Sequence, residues 1–170
     1  PHLLPVYDYD GENDPPYIVM RYLESGTLKD VLSHGPLPLR EVAFMMQQIG
    51  SALDYAQRQG VVHRDIKPSN VMIDPDGNAF LMDFGIARSG ENKEGLTQTG
   101  FAVGTPGYMS PEQAFGENVD SRTDIYALGV VLFQMVTGEL PYESETPMGL
   151  VLKHMQDPIP VATDRNEELP

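Results

Sequence analysis

The phrase His63-Arg64-Asp65-Ile66-Lys67-Pro68-Ser69-Asn70 gathers an acid, a base and an amide in one polar break, and a further acid follows in Asp83-Phe84-Gly85. Between the two lies a hairpin pattern, with Val71 to Ile73 and Ala79 to Met82 flanking the turn-rich Asp74-Pro75-Asp76-Gly77-Asn78. Antiparallel pairing about Asp76-Gly77 brings Asn70 and Asp83 to the same open end. Two oxygen ligands then converge. A hard cation such as Mg²⁺ takes few carboxylate or amide oxygens and leaves its other positions to water and substrate phosphates, so the pair suits metal-bound nucleotide better than an all-protein metal cage.

The elements that position these residues are legible in part. Val6 to Tyr9 and Tyr17 to Met20 are short β-favouring runs around the Gly11, Asn13, Asp14, Pro15, Pro16 cluster, a second hairpin pattern. From Arg40 to Gln59, apolar residues at Val42, Met45, Ile49, Leu53 and Ala56 keep the helical period, and Gly60 supplies the stop. Residues Ser89 to Thr105 lack periodicity and read as a long surface loop. Ser121 with Asp124 three residues later resembles a capping box, and the run behind it to Thr137-Gly138 predicts a helix apolar nearly all round. Such a helix belongs at a domain's centre.

Composition narrows the classes. The 170 residues are 41% hydrophobic, enough for one moderate core, and carry a net charge of −14 that repels phosphate backbones and anionic lipid. Nucleic acid is not an expected partner. Zero cysteines exclude disulfides, thiolate metal sites and a cysteine nucleophile. The most apolar stretch, Ala127 to Val136, falls short of the roughly 20 residues that a membrane span needs and contains Gln134, so it reads as a core helix.

Taken in order, the catalytic-loop phrase, Asp83-Phe84-Gly85 and Ser110-Pro111-Glu112, with Gly104-Thr105 ahead of the third, resemble the protein-kinase signature set. Asp83-Phe84-Gly85-Ile86-Ala87-Arg88 looks most like the bacterial Hanks-type serine/threonine kinases associated with membranes. The resemblance covers essentially the whole chain. It implies an α+β, protein-kinase-like fold: residues 1–23 as the end of the β-rich small lobe and the hinge, and residues 24–170 as the helical large lobe, incomplete at its C-terminus.

By that resemblance Asp65 accepts the proton of the substrate hydroxyl, with a loop-turn or cap carboxylate as the alternative. Lys67 lies against the transferred phosphate, with a solvated surface lysine as the alternative. Asn70 and Asp83 hold the Mg²⁺, or Mn²⁺, that bridges the phosphates of ATP; turn-forming Asn and Asp are the plainer reading. Arg64 receives a phosphate from the loop, which carries Thr97 and Thr99 as autophosphorylation sites. Thr105 shapes the serine/threonine acceptor site. The adenine docks along Met20, Arg21 and Leu23, on the backbone of the latter two, with Met72 in its apolar floor; for both methionines core packing competes. His63 packs on Phe84, and Asp124 braces the catalytic-loop backbone.

The resemblance also names parts that the sequence lacks: a Gly-rich loop, a strand lysine with its helix glutamate, and the late arginine that pairs with the residue at Glu112. The chain opens at Pro1 with neither initiator Met nor signal peptide, so it is expected to come from something longer and to transfer little phosphate alone. The implied activity is transfer of the ATP γ-phosphate to Ser/Thr hydroxyls of proteins. It places the chain in the cytoplasm, as a free protein or as the cytoplasmic domain of a membrane-anchored parent that could dimerise. A pseudokinase or regulatory binding module is the competing class, disfavoured by the intact Asp65, Lys67, Asn70 and Asp83. A small-molecule phosphotransferase comes third, disfavoured by the threonine-bearing loop and Ser110-Pro111-Glu112.

Overall fold

A computed structural model describes residues 1–84 and 106–170. Thr97, Thr99 and Thr105, with the loop expected around them, lie outside the described residues.

The first hairpin forms as the sequence predicts. Strands β1 (Val6–Asp10) and β2 (Tyr17–Met20) pair antiparallel, Val6 opposite Met20 and Asp10 opposite Tyr17, with a register shift between Val6 and Asp8. The Asp10 carboxylate accepts from the backbone N–H of Glu12 and of Asn13, folding the turn back on itself. A short helix α1 (Leu28–Leu32) follows. Its five residues are too few to show a period, but Thr27 and Asp30 close a capping box at its start.

The long amphipathic pattern becomes α2 (Leu39–Arg58), one residue earlier than expected at each end, burying Val42, Met45, Ile49, Ala52, Leu53 and Ala56. The second hairpin is β3 (Val71–Ile73) with β4 (Ala79–Leu81), Val71 opposite Leu81. Met82 stands just beyond β4, yet its N–H still donates to the Asn70 carbonyl at 2.9 Å. Buried Gln48 on α2 ties helix to hairpin, accepting from Ala79 N–H at 2.7 Å and donating to Asn78 Oδ1 at 3.1 Å.

Helices α3 (Pro111–Phe115), α4 (Ser121–Thr137) and α5 (Pro147–Gln156) complete the described elements together with short 3₁₀ turns. Helix α4 packs on α2 through Ala127, Leu128, Val131, Met135 and Val136. It is less uniformly buried than its composition suggested, since Ile125 and Leu132 face solvent.

The cap of α4 corrects the sequence reading. Asp120, not Ser121, is the N-cap, its carboxylate accepting from Arg122 N–H at 2.8 Å. Ser121 Oγ instead accepts from Gln57 on α2, and Asp124 turns inward. A polar residue three positions before an acid satisfies the local pattern, but the acid here has stronger partners sixty residues away.

Candidate active site

The hairpin β3–β4 brings its two flanking phrases together. Asn70 closes a 3₁₀ turn (Pro68–Asn70) begun at Lys67, and Pro68 at its first position pre-sets the backbone for that turn. The buried Asn70 side chain donates through Nδ2 to the Asp65 carbonyl at 2.8 Å and to Asp65 Oδ2 at 3.0 Å. Lys67 Nζ reaches the same Oδ2 at 2.7 Å. Lys67 and Asp65 keep 20% and 34% of their side-chain surface in water, so the pair is reachable from solvent.

Two consequences follow from donor chemistry. Among the described residues no hydrogen bond engages Asp65 Oδ1; those of the carboxylate go to Oδ2. Asn70 commits its NH₂ to Asp65, which turns its carbonyl oxygen the other way, as a hard cation requires. Asp83 is exposed and follows Met82, whose N–H is bonded to Asn70. Its backbone is left-handed, φ 58°, a conformation that is uphill for a non-glycine residue and recurs at functional sites. The oxygens of Asn70 and Asp83 therefore suit a hard, phosphate-sharing cation. Among the described residues no group of three or more His, Cys, Asp or Glu could form a protein-only cage.

The loop backbone is fixed from behind. Asp124, 5% exposed, accepts from His63 N–H through Oδ2 and from Arg64 N–H through Oδ1, both at 2.8 Å. Arg64, half-buried, has φ 68°. His63 packs on Phe84 with ring centroids 4.6 Å apart. Its Nδ1 accepts from Asp65 N–H at 3.2 Å, which assigns the ring proton to Nε2 and lets it donate to the Met82 carbonyl at 2.8 Å. Burial holds the His63 pKa below the ordinary histidine value, against the upward pull of the Met82 carbonyl and nearby Asp124, Asp65 and Asp83.

His154 on α5 went unnoticed in the sequence, since a lone histidine gives no pattern. It is buried between Tyr126, whose hydroxyl is hydrogen-bonded to its Nδ1 at 2.7 Å, and Tyr142, ring centroids 4.9 Å away. Burial lowers its pKa too, the Gly107 carbonyl pulling the other way. Both histidines thus protonate at higher pH in the unfolded chain than in the folded one. Their contribution is complete above about pH 6.5 and is lost as pH falls from there toward the lower folded values. The denaturant midpoint is expected to be lower at pH 5.5 than at pH 7.5, and the difference to shrink in His154→Gln; equal midpoints in the parent protein would contradict this.

The remaining sequence-predicted residues fall in two places. Met20 ends β2, half-buried. Arg21 N–H donates to the Pro5 carbonyl at 3.0 Å and its guanidinium sits 5.4 Å from the Phe80 ring centroid. Among the described residues, the Arg21 carbonyl and the Leu23 N–H have no hydrogen-bond partner. Met72 lies half-buried on β3 beside Thr27. Glu112 is half-buried and accepts from Thr123 Oγ1. Burial pushes its pKa up, but bonds from Thr123, its own N–H and Ser110 outweigh that and bring it below the usual value.

One residue missed entirely is Gln113. Its Nε2 donates to the Arg64 carbonyl at 2.7 Å while its Oε1 accepts from Ser110 N–H at 3.1 Å. The signal was present: Ser110 followed three residues later by Gln is a capping-box spacing.

The family model described as "Protein kinase domain" matches residues 1–169. The chain is 42% identical over 171 residues to the serine/threonine-protein kinase PrkC of Bacillus subtilis, covering 100% of this chain and 26% of that protein. It is 40% identical over 167 residues to PknB of Mycobacterium leprae, covering 94% of this chain and 27% of that protein. It is 44% identical over 162 residues to PknD of Mycobacterium tuberculosis, covering 94% of this chain and 24% of that protein. The chain spans about a quarter of the length of these curated relatives. With an α+β fold and a match along nearly all its residues, the chain belongs to the protein kinase domain family.

Proposed function

We propose that the full-length protein carrying this chain is an ATP-dependent serine/threonine protein kinase. The observation that carries the reading is the contact set of Asp65, Lys67 and Asn70 beside the strand end that leads to Asp83. In this reading the oxygen of a substrate Ser or Thr forms a bond to the γ-phosphorus as the bond from that phosphorus to the β-phosphate oxygen breaks, and ADP leaves. Asp65 accepts the hydroxyl proton through Oδ1, while Lys67 faces the charge that spreads over the transferred oxygens. Asn70 and Asp83 would hold Mg²⁺ or Mn²⁺, which supplies a fixed counter-charge for the phosphates.

The Arg21 carbonyl and Leu23 N–H would receive the adenine edge, with Met20 behind and Met72 below it. Residues 1–23 act as small-lobe end and hinge, residues 24–170 as the large lobe. Arg64 would receive a phosphate placed on Thr97 or Thr99, and Thr105 would shape the acceptor site. Protein substrates, a cytoplasmic setting where ATP is abundant, and a membrane-anchored, dimerising parent belong to the same reading. Among the described residues no helix is long and apolar enough to cross a membrane.

Phosphate transfer from ATP to a Ser/Thr-containing protein, measured with the full-length protein and Mg²⁺, tests this. Asp83→Asn is expected to lower transfer by about 100-fold or more, the scale of losing several kcal/mol of charge stabilisation. No transfer by the parent protein, or equal transfer by the variant, would overturn the reading.

A further inference from the structure

The peptide unit that joins Arg64 to Asp65 is gripped from both sides. Its N–H, on Asp65, donates to His63 Nδ1, and its C=O, on Arg64, accepts from Gln113 Nε2 at 2.7 Å. Arg64 reaches this arrangement only through a left-handed backbone, φ 68°. Nothing about an arginine favours that conformation, so external bonds must hold it.

Asp124 supplies part of the hold, on the N–H groups of residues 63 and 64. It does not touch the peptide that follows. Without a partner on the Arg64 carbonyl, the 64–65 peptide can turn about its two flanking bonds, and its N–H then leaves His63. Lys67 and Asn70 meet Asp65 at Oδ2, and Asn70 also holds the Asp65 carbonyl, on the peptide that follows, so neither bonds to the 64–65 peptide itself.

The Gln113 amide is spent at both ends. Its Oε1 accepts from the N–H and the Oγ of fully buried Ser110, at 3.1 and 3.4 Å, and Ser110 Oγ accepts in return from Gln113 N–H. Reversing the amide would set its NH₂ against the Ser110 N–H and its oxygen against the Arg64 carbonyl, so the network fixes its orientation. One side chain therefore caps α3 and holds the peptide that precedes Asp65.

We infer that Gln113 is a positioning residue for phosphate transfer: by anchoring the Arg64 carbonyl it sets the plane of the 64–65 peptide and hence the aim of the Asp65 carboxylate. The inference rests on the reading of Asp65 as proton acceptor. Gln113→Glu separates this role from capping, because a carboxylate still accepts from Ser110 and remains favoured at the third position of a capping box, yet has no proton for Arg64.

In the full-length protein, Gln113→Glu is expected to lower kcat by about 10- to 100-fold with the KM for ATP within about twofold, a smaller loss than removing the proton acceptor itself. In the same variant, amide exchange at Asp65 should speed up by about tenfold, while the Ala114 amide, bonded to the Ser110 carbonyl, stays protected. Unchanged exchange at Asp65 overturns the inference whatever the kinetics. So does faster exchange with unchanged kcat, or a matching loss of protection at Ala114, which would make Gln113 a brace for α3. If the parent protein transfers no phosphate, the proposed activity falls, and exchange at Asp65 alone decides whether Gln113 anchors the peptide.

Discussion

Asp65→Asn is expected to lower phosphate transfer by about 10²- to 10⁴-fold, the usual worth of a positioned general base, with little change in stability. The substitution is isosteric, and an Asn oxygen can still accept from Lys67 and Asn70 where the carboxylate did. What disappears is a basic oxygen able to take the substrate proton. The lost ion pair with Lys67 is partly solvated, and such pairs contribute about 0–1 kcal/mol. Transfer rates and thermal midpoints of the full-length protein check both halves. Transfer within threefold of the parent would remove Asp65 from the reaction, and a large fall in midpoint would make it a fold residue.

Asp124→Ala should have the opposite profile, a large stability loss that takes activity with it. The carboxylate is buried and is the acceptor for two backbone N–H groups, those of His63 and Arg64. Leaving each without a partner costs about 1–3 kcal/mol, so about 2–6 kcal/mol in all. For a chain of this size that lowers the thermal midpoint by roughly 4 to 24 °C. Asp54→Ala, which removes an exposed acid from α2, is the control and should stay within about 0.5 kcal/mol of the parent. If the two variants melt together, Asp124 does not hold the loop.

The sequence made legible whatever depends on spacing along one element. The apolar stripe from Val42 to Ala56 and the turn at Asp74 to Asn78 each lie within one periodic or turn-rich segment, and both folded where expected. The convergence of Asn70 on the strand end before Asp83 followed from antiparallel pairing alone. Three short or weakly amphipathic helices did not show. Helices α1 and α3 have five residues each, and α5 exposes Met148 and Leu152 beside buried Val151.

Long-range polar bonds were the harder part. Asp124 was expected to brace the loop by resemblance, but which amides it takes, 60 and 61 residues away, has no trace in local pattern. The same bonds explain why it does not serve as the box partner of Ser121. Gln113 is the converse case: its cap is visible in the spacing, its grip on Arg64 is not.

The hairpin β3–β4 has a further property. A two-stranded ribbon ordinarily offers a row of bare amides along each flank, which invites a strand from another molecule. Here one flank is closed by Gly26 and Thr27, with Ile73 N–H donating to the Gly26 carbonyl and Thr27 bridging Met72. The other is closed by residues 2–4: Leu81 N–H donates to the His2 carbonyl, Leu4 N–H to the Leu81 carbonyl, and His2 Nδ1 meets the Ala79 carbonyl. The ribbon whose open end carries Asn70 and leads to Asp83 is thus sealed against strand exchange, and the two arms of that end keep their spacing when molecules crowd together.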